Sequence, residues 1–437
     1  MMRKTSLSLA TSSLLLSLVL GACNQSPRLS SPEVSQQAMT SASDDAMVWL
    51  NSQYRTNGTS SCVDSYQDDK DIAYTYDMAL AVHAYLLKND QGKAKNILDS
   101  FKARQLSDFS DTSQWDGGSW YAAYHCNTGS TSWTPFHEEK FTDVGPTAWV
   151  ALAAIAYRKK YNDAAYDDMI IRAAEYMSRN QWKTQWGGDG GVNFASNRLQ
   201  TVSSTEHNLD AFAIFKNIQL IPALNTLANQ RLTGDFSVGT SLGNADHFLR
   251  NQVWNSAELR LNGGRGDTKF PTDMLSWGAP AFGPYNDNLY YSVVRHIVEN
   301  TNPSHQNAFN VNGYGTQYAV DFIARTSDKD SWFEGTGQMI VALKMASKFY
   351  RSKGWSSAAI DSKMNTYLNA MKNVQAYTKA NGYNGMGSYN GGLPYSWNGT
   401  NNTYFTMLKN PSVAATTWLI FAEAGYNSFY PDFVNFY

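Results

Sequence analysis

The stretch Ser203-Ser204-Thr205-Glu206-His207-Asn208-Leu209-Asp210, running straight into Ala211-Phe212-Ala213-Ile214-Phe215-Lys216, decides how this chain is read. Leu209, Phe212 and Ala213 recur at helical spacing, and Ser204 or Thr205 stands where a side chain caps free amides, so a helix begins here. Glu206 and Asp210 are four residues apart and share one face near that start, with His207 beside the first of them. Acids in a first turn also complement the helix dipole, and that ordinary role alone would account for Glu206. The same phrase recurs twice, however. Asp77 follows Tyr74-Thr75-Tyr76 and opens Met78-Ala79-Leu80-Ala81-Val82; Glu334 follows Ser331-Trp332-Phe333 and precedes Gly335-Thr336-Gly337-Gln338-Met339.

Outward from this stretch, apolar residues keep a period of three to four over runs longer than ten residues, which favours helix over strand. Helices are expected at 45–54, from 72 through 86, 93–101, 146–157, 166–180, 223–231, 242–253, 286–300, about 314–326, 336–351, 358–378 and 412–424. Between them lie glycine and tryptophan loops, such as Trp115-Asp116-Gly117-Gly118-Ser119-Trp120, Trp186-Gly187-Gly188-Asp189-Gly190-Gly191 and the segment from Gly263 to Gly278. A helical hairpin with one apolar stripe cannot bury it alone, so about six pairs would close on one another.

This rhythm, with Tyr76-Asp77-Met78-Ala79-Leu80 and Glu334-Gly335-Thr336-Gly337-Gln338, resembles the (α/α)6 toroid of several carbohydrate-active families and sugar epimerases. The resemblance spans about 45–437 and implies an all-α fold in which the inner-helix starts gather at one end of a central cavity. Asp77, Glu206 and Glu334 would meet there. Glu206 is expected as the acid of a paired-carboxylate, inverting glycoside hydrolase, Asp77 as the base and Glu334 in reserve, with roles open to exchange. Asp210 and His207 would tune Glu206. Trp115, Trp120, Trp186 and Trp277, beside Asp189, Asp267 and Asp273, would offer flat faces and hydroxyl acceptors to a sugar; the alternative is that these tryptophans plug the ends of the ring. A non-catalytic glycan-binding or scaffold protein, and a lyase or sugar isomerase using His207 and Arg265, remain as alternatives.

Arg3 and Lys4 precede the apolar run 14–20, which meets Gly21-Ala22-Cys23, the pattern of a targeting peptide. Leu20-Gly21-Ala22-Cys23 resembles the lipobox of bacterial lipoproteins. That likeness implies a leader over 1–22, lipidation of Cys23, a Ser, Gln and Pro-rich tether over 23–44 and a chain held to the cell envelope, at a membrane the sequence does not specify. In an exported chain Cys62 and Cys126 are free to pair. Charged residues make up 16% and aromatics 14%, with a formal net charge of -2 and no basic tract interleaved with aromatics, which argues against nucleic acid. The seven histidines are scattered, so no metal or other cofactor is expected. The expected partner is a neutral or weakly acidic glycan, bound by a monomer.

Overall fold

Inner and outer helices of this chain differ in how much of their surface is apolar. In a computed structural model, which describes residues 41–57, 60–68, 70–107, 116–126, 133–195, 201–299, 305–324, 327–400 and 406–431, the helices run in chain order. First come α1 (Ser41–Gln53), α2 (Thr75–Leu87), α3 (Gln91–Lys102), α4 (Val144–Tyr161), α5 (Asp167–Arg179), α6 (Thr205–Leu220) and α7 (Pro222–Arg231). Then follow α8 (Val238–His247), α9 (Asp273–Ser276), α10 (Gly278–Phe282), α11 (Asp287–Val293), α12 (Phe333–Ser352), α13 (Ala358–Asn381) and α14 (Val413–Ala424). The leader, Cys23 and Trp115 lie outside the described residues, and α1 begins at Ser41, inside the stretch read as tether.

α2 buries Met78 through Leu86 without a break, and α4 buries Ala148 through Tyr157, so each is covered on every side. A helix apolar all round must be surrounded by others. By contrast α5 buries Ile170, Ile171, Ala174 and Met177 along one stripe and leaves Asp168, Arg172, Glu175 and Arg179 facing outward. The wholly buried class forms a closed ring: α2 packs on α4, α4 on α6, α6 on α10, α9 and α10 on α12, α12 on α14, and α14 back on α2. Around it stand α3, α5, α7 with α8, α11 and α13. α1 packs on α14, so the first helix covers the last and completes the outer layer. This is the (α/α)6 toroid.

Several local expectations are corrected. Residues 314–326 were expected to be helical, but Gln306–Val311 and Gly315–Val320 form an antiparallel hairpin, with Val311 opposite Gly315. Burial alternates along the first strand, and Asn312-Gly313 makes the turn, Gly313 taking a φ of 81°. The segment near 273–278, read as a loop, is an inner helix broken in two around Trp277, Gly278 and Pro280. Ser204 stands at the N-cap of α6 in extended conformation, yet its side chain makes no capping bond. Thr205 Oγ1 donates instead to the Asn262 carbonyl at 2.6 Å, tying the helix mouth to a neighbouring loop.

Cys62 and Cys126 form a disulfide with Cα atoms 5.9 Å apart. It links the hairpin Tyr54–Asn57 and Ser60–Val63 to Ala123–His125, which pairs with Ile72–Tyr74 immediately before α2. Cross-linking across a separation of 64 residues restricts the unfolded chain, a gain of about 2–4 kcal/mol. Replacing both cysteines by serine should lower unfolding free energy by that amount in denaturant titration; an unchanged midpoint would contradict it.

Candidate active site at the inner-helix mouths

All the inner helices that carry the recurring acid phrase start at the same end of the ring. A cavity of about 680 Å³ opens there, lined by Glu206 and His207 of α6, Asp273 of α9, Glu334 and Gln338 of α12 and Trp149 of α4. Tyr76, Asp143, Trp277, Trp332, Tyr395 and Phe194 complete much of its wall. A second chamber of about 300 Å³ lies alongside and shares Tyr76, Asp143, Pro146, Glu334 and Tyr395 with the first. Asp77 lines this second chamber.

Glu206 occupies the first turn of α6 and is half-buried, as befits a group facing a cavity. Burial pushes its carboxyl well above the usual range, and the charges of Asp273 and Asp210 push it further. Glu206 and Asp273 share a hydrogen bond, and Asp273 itself is raised to about 7, chiefly by burial. Two carboxyl groups in contact cannot both ionise cheaply, so this pair holds a proton between them, with Glu206 as its carrier.

Glu334 is raised less, to about 7, because burial is opposed by donors. Trp418 Nε1 donates to the Tyr76 hydroxyl at 3.0 Å, and an indole can only donate. The Tyr76 hydroxyl is left to donate to Glu334 Oε1 at 2.7 Å, and Gln338 Nε2 does so at 3.1 Å. Donors of this kind favour the ionised form. Asp77 is pushed up to about 8 by burial, with a Ser65 hydrogen bond opposing and the charge of Glu334 adding to it. Asp210 is fully buried behind the cavity, its carboxyl raised by burial and by the charge of Asp273.

The helix dipole would favour ionised acids at the first-turn positions Asp77, Glu206, Asp273 and Glu334, by about 0.3–1 kcal/mol. Removing a carboxylate from water costs several kcal/mol. Desolvation wins, which is why first-turn acids here are raised rather than lowered.

The aromatic wall is compact. Trp149 lies 5.2 Å from Trp277 and 5.2 Å from Tyr76, ring centre to ring centre. His207 packs on Phe194 at 4.3 Å, and Gly145 makes room for it, since a Cβ there would stand 2.5 Å from His207 Nε2. Asp267 lines the cavity, whereas Asp189 stands behind it and grips Arg265 with both oxygens, at 2.5 and 2.7 Å. Arg265, also on the wall, has Trp182 over its guanidinium at 4.5 Å.

Two tryptophans expected to bind sugar do not reach the cavity. Trp120 is fully buried against Phe101 and donates its indole hydrogen to the Phe101 carbonyl at 2.8 Å, so it is core. Trp186 sits on the outer surface, 56% exposed, bonded to Asp235 and packed on Phe236. Trp277 does line the cavity. Tyr76, Trp149, Trp332, Tyr395, Gln338 and Asp143 were not singled out from sequence. Tyr76 directly precedes Asp77 and Trp332 stands two residues before Glu334, a signal that was available; Tyr395 arrives from a distant loop. Among the described residues no cluster of three His, Cys, Asp or Glu side chains is placed to hold a metal, and no helix is long and apolar enough to cross a membrane.

No protein-family model matches the chain, and no curated protein is recognisably similar in sequence. Solved structures share its fold at low identity. A wild-type glycosidase matches with a TM-score of 0.57 and 10% identity, over 88% of this chain and 95% of that one. A family 76 glycoside hydrolase from a bovine Bacteroides thetaiotaomicron strain matches at 0.53 and 11%, over 88% of this chain and 76% of that one. A sugar epimerase from a ruminal bacterium matches at 0.53 and 12%, over 86% and 95%. These likenesses establish the (α/α)6 toroid as the fold.

Asp77 holds its proton more tightly folded than unfolded. Its stabilising contribution is therefore complete below the ordinary carboxylate range and is lost as pH rises through about 8. Asp77→Asn should gain on the wild type by up to about 5 kcal/mol between about pH 4 and pH 8. Denaturant unfolding of both proteins across that range checks this; a difference independent of pH would contradict the raised carboxyl.

Proposed function

We propose that this protein is a glycoside hydrolase that cleaves an envelope or extracellular glycan by inversion. The observation that carries the reading is the split in the cavity acids: Glu206 keeps a proton while Glu334, ringed by donors, is the easier to ionise. Hydrolysis needs one carboxyl of each kind. Glu206 would give its proton to the glycosidic oxygen as the bond to the anomeric carbon breaks. Glu334 would take a proton from the water that attacks that carbon from the opposite face, and one water is consumed for each new reducing end.

Glu206 and Asp273 cannot be the two partners, because an inverting pair stands about 6.5–9.5 Å apart to admit the water and these two touch. Asp273 instead positions the proton of Glu206. This revises the assignment of the base from Asp77, which lines only the smaller chamber, to Glu334. The neighbouring folds include both glycosidases and a sugar epimerase, and the acid pair favours the former. The leader and Cys23 support an enzyme held to the cell envelope by N-terminal lipid, acting there on a neutral or weakly acidic glycan.

Incubation of the purified protein with a broad glycan panel, read for new reducing ends and for ultraviolet-absorbing products, tests the reading. Glu206→Gln and Glu334→Gln should each lower turnover about 10²–10⁴-fold. In the wild type kcat/KM should rise with pH as Glu334 ionises near 7 and fall once Glu206 loses its proton; Glu334→Gln should remove the rising limb from what activity remains. Unsaturated products would mark a lyase, and isomerised sugar without new ends an epimerase; either would overturn hydrolysis.

A further inference from the structure

We infer that the smaller chamber beside Glu334 is a second sugar subsite, built for one pyranose without an anionic group, in a glycan whose next ring lies in the main cavity. The inference rests on the hydrolase reading above and assigns a role to Asp77, the recurring acid that the cleavage step leaves unused. The chamber's volume, about 300 Å³, is at the small end for ligand pockets, the scale of a single ring rather than a chain. Glu334 and Tyr76 belong to both cavities, so a glycan passing from one to the other runs past the proposed base.

The chamber's chemistry suits a sugar ring. Tyr66 stands edge-on to Tyr74 with centroids 6.3 Å apart and to Tyr395 at 6.2 Å, so three phenols turn a corner along the wall. All three are half-buried, which leaves part of each ring open. A pyranose has an apolar face of C–H groups and a rim of hydroxyls. The phenol faces stack with the first, and the phenol hydroxyls and carboxyl oxygens of Asp77 and Glu334 bond the second.

Charge narrows the class further. Among the described residues that line this chamber, the ionisable groups other than tyrosine are all acids, namely Asp77, Glu139, Asp143 and Glu334. A uronate, sulfate or phosphate entering it would lose its hydration and meet Glu334, the carboxyl that ionises, with no cationic residue among those described in the wall to offset either cost. A ring that carries no anionic group avoids both.

Calorimetric binding to the Glu206→Gln protein separates this proposal from the catalytic one, because it needs no turnover. The probes are gluco-, manno- and xylo-oligosaccharides of increasing length, with oligogalacturonates as charged counterparts. In one neutral series, addition of the ring that reaches the chamber should tighten binding about tenfold. Adding Tyr66→Ala, or separately Tyr74→Ala, should abolish that increment, while Tyr66→Phe keeps the stacking face and should retain most of it. Thermal melts establish that each variant is folded. The charged oligomers should bind at least about tenfold more weakly than the neutral series of equal length. Absence of an increment in every neutral series, an increment that survives both alanine variants, or a preference for charged oligomers would overturn the subsite. Wild-type protein that shows the increment yet cleaves none of the probes would instead count against the hydrolase reading and leave the subsite standing.

Discussion

Closure of the inner ring is the constraint on which the rest of this molecule depends. Helices covered on every side can approach one another only where side chains are small. Gly337 of α12 shows how little space remains: a Cβ there would stand 2.6 Å from the Trp418 Cβ and 2.9 Å from the Trp418 backbone on α14. The alanines of α2 and α4 serve the same end, and α14 closes the circle against α2. A ring closed this tightly, with its inner helices running the same way, brings their N-termini to one face. Whatever polar residues open those helices are concentrated there.

The chemical consequence follows from desolvation. Asp77, Glu206, Asp273 and Glu334 are each carried in the first turn of an inner helix or beside it, and each is raised by burial. The scaffold then differentiates them through their partners. Glu334 receives Tyr76 and Gln338, Glu206 meets Asp273, and Asp77 faces a chamber of tyrosines. Pairs of acids pushed apart in this way are how one site supplies an acid and a base at a single pH. The aromatic wall of Trp149, Trp277 and Tyr76 keeps the site apolar.

Much of this was legible in the sequence, and the remainder was hidden for physical reasons. The acid-then-apolar-helix phrase at Asp77, Glu206 and Glu334 is a local pattern, and the ring's symmetry turned it into spatial proximity. Asp273 carries the same chemistry, but Gly278 and Pro280 break its helix and erase the apolar period, so it read as a loop acid. Trp149 lay within an apolar run and resembled core. Trp120 and Trp186 have loop contexts like that of Trp277, yet one indole caps the Phe101 carbonyl in the interior and another bonds Asp235 outside; loop composition does not report which side of a ring end a tryptophan faces. The hairpin over Gln306–Val311 and Gly315–Val320 is the converse case: its Asn312-Gly313 turn was visible, but Asn307 is buried and Ala308 exposed, so the alternation of burial is not written in the residue types.

The proposed chemistry depends on a carboxyl that remains protonated at neutral pH because burial and the charges of Asp273 and Asp210 disfavour its ionised form. Infrared spectroscopy measures this directly, by comparing the protonated-carboxyl C=O absorption of the wild type with that of Glu206→Gln. A component of that band present at neutral pH in the wild type and missing from the variant, above the absorption of Asp77 and Asp210 that both proteins share, is the predicted result. No such band at neutral pH, or one untouched by the substitution, would contradict the claim that this fold stores its acid at Glu206.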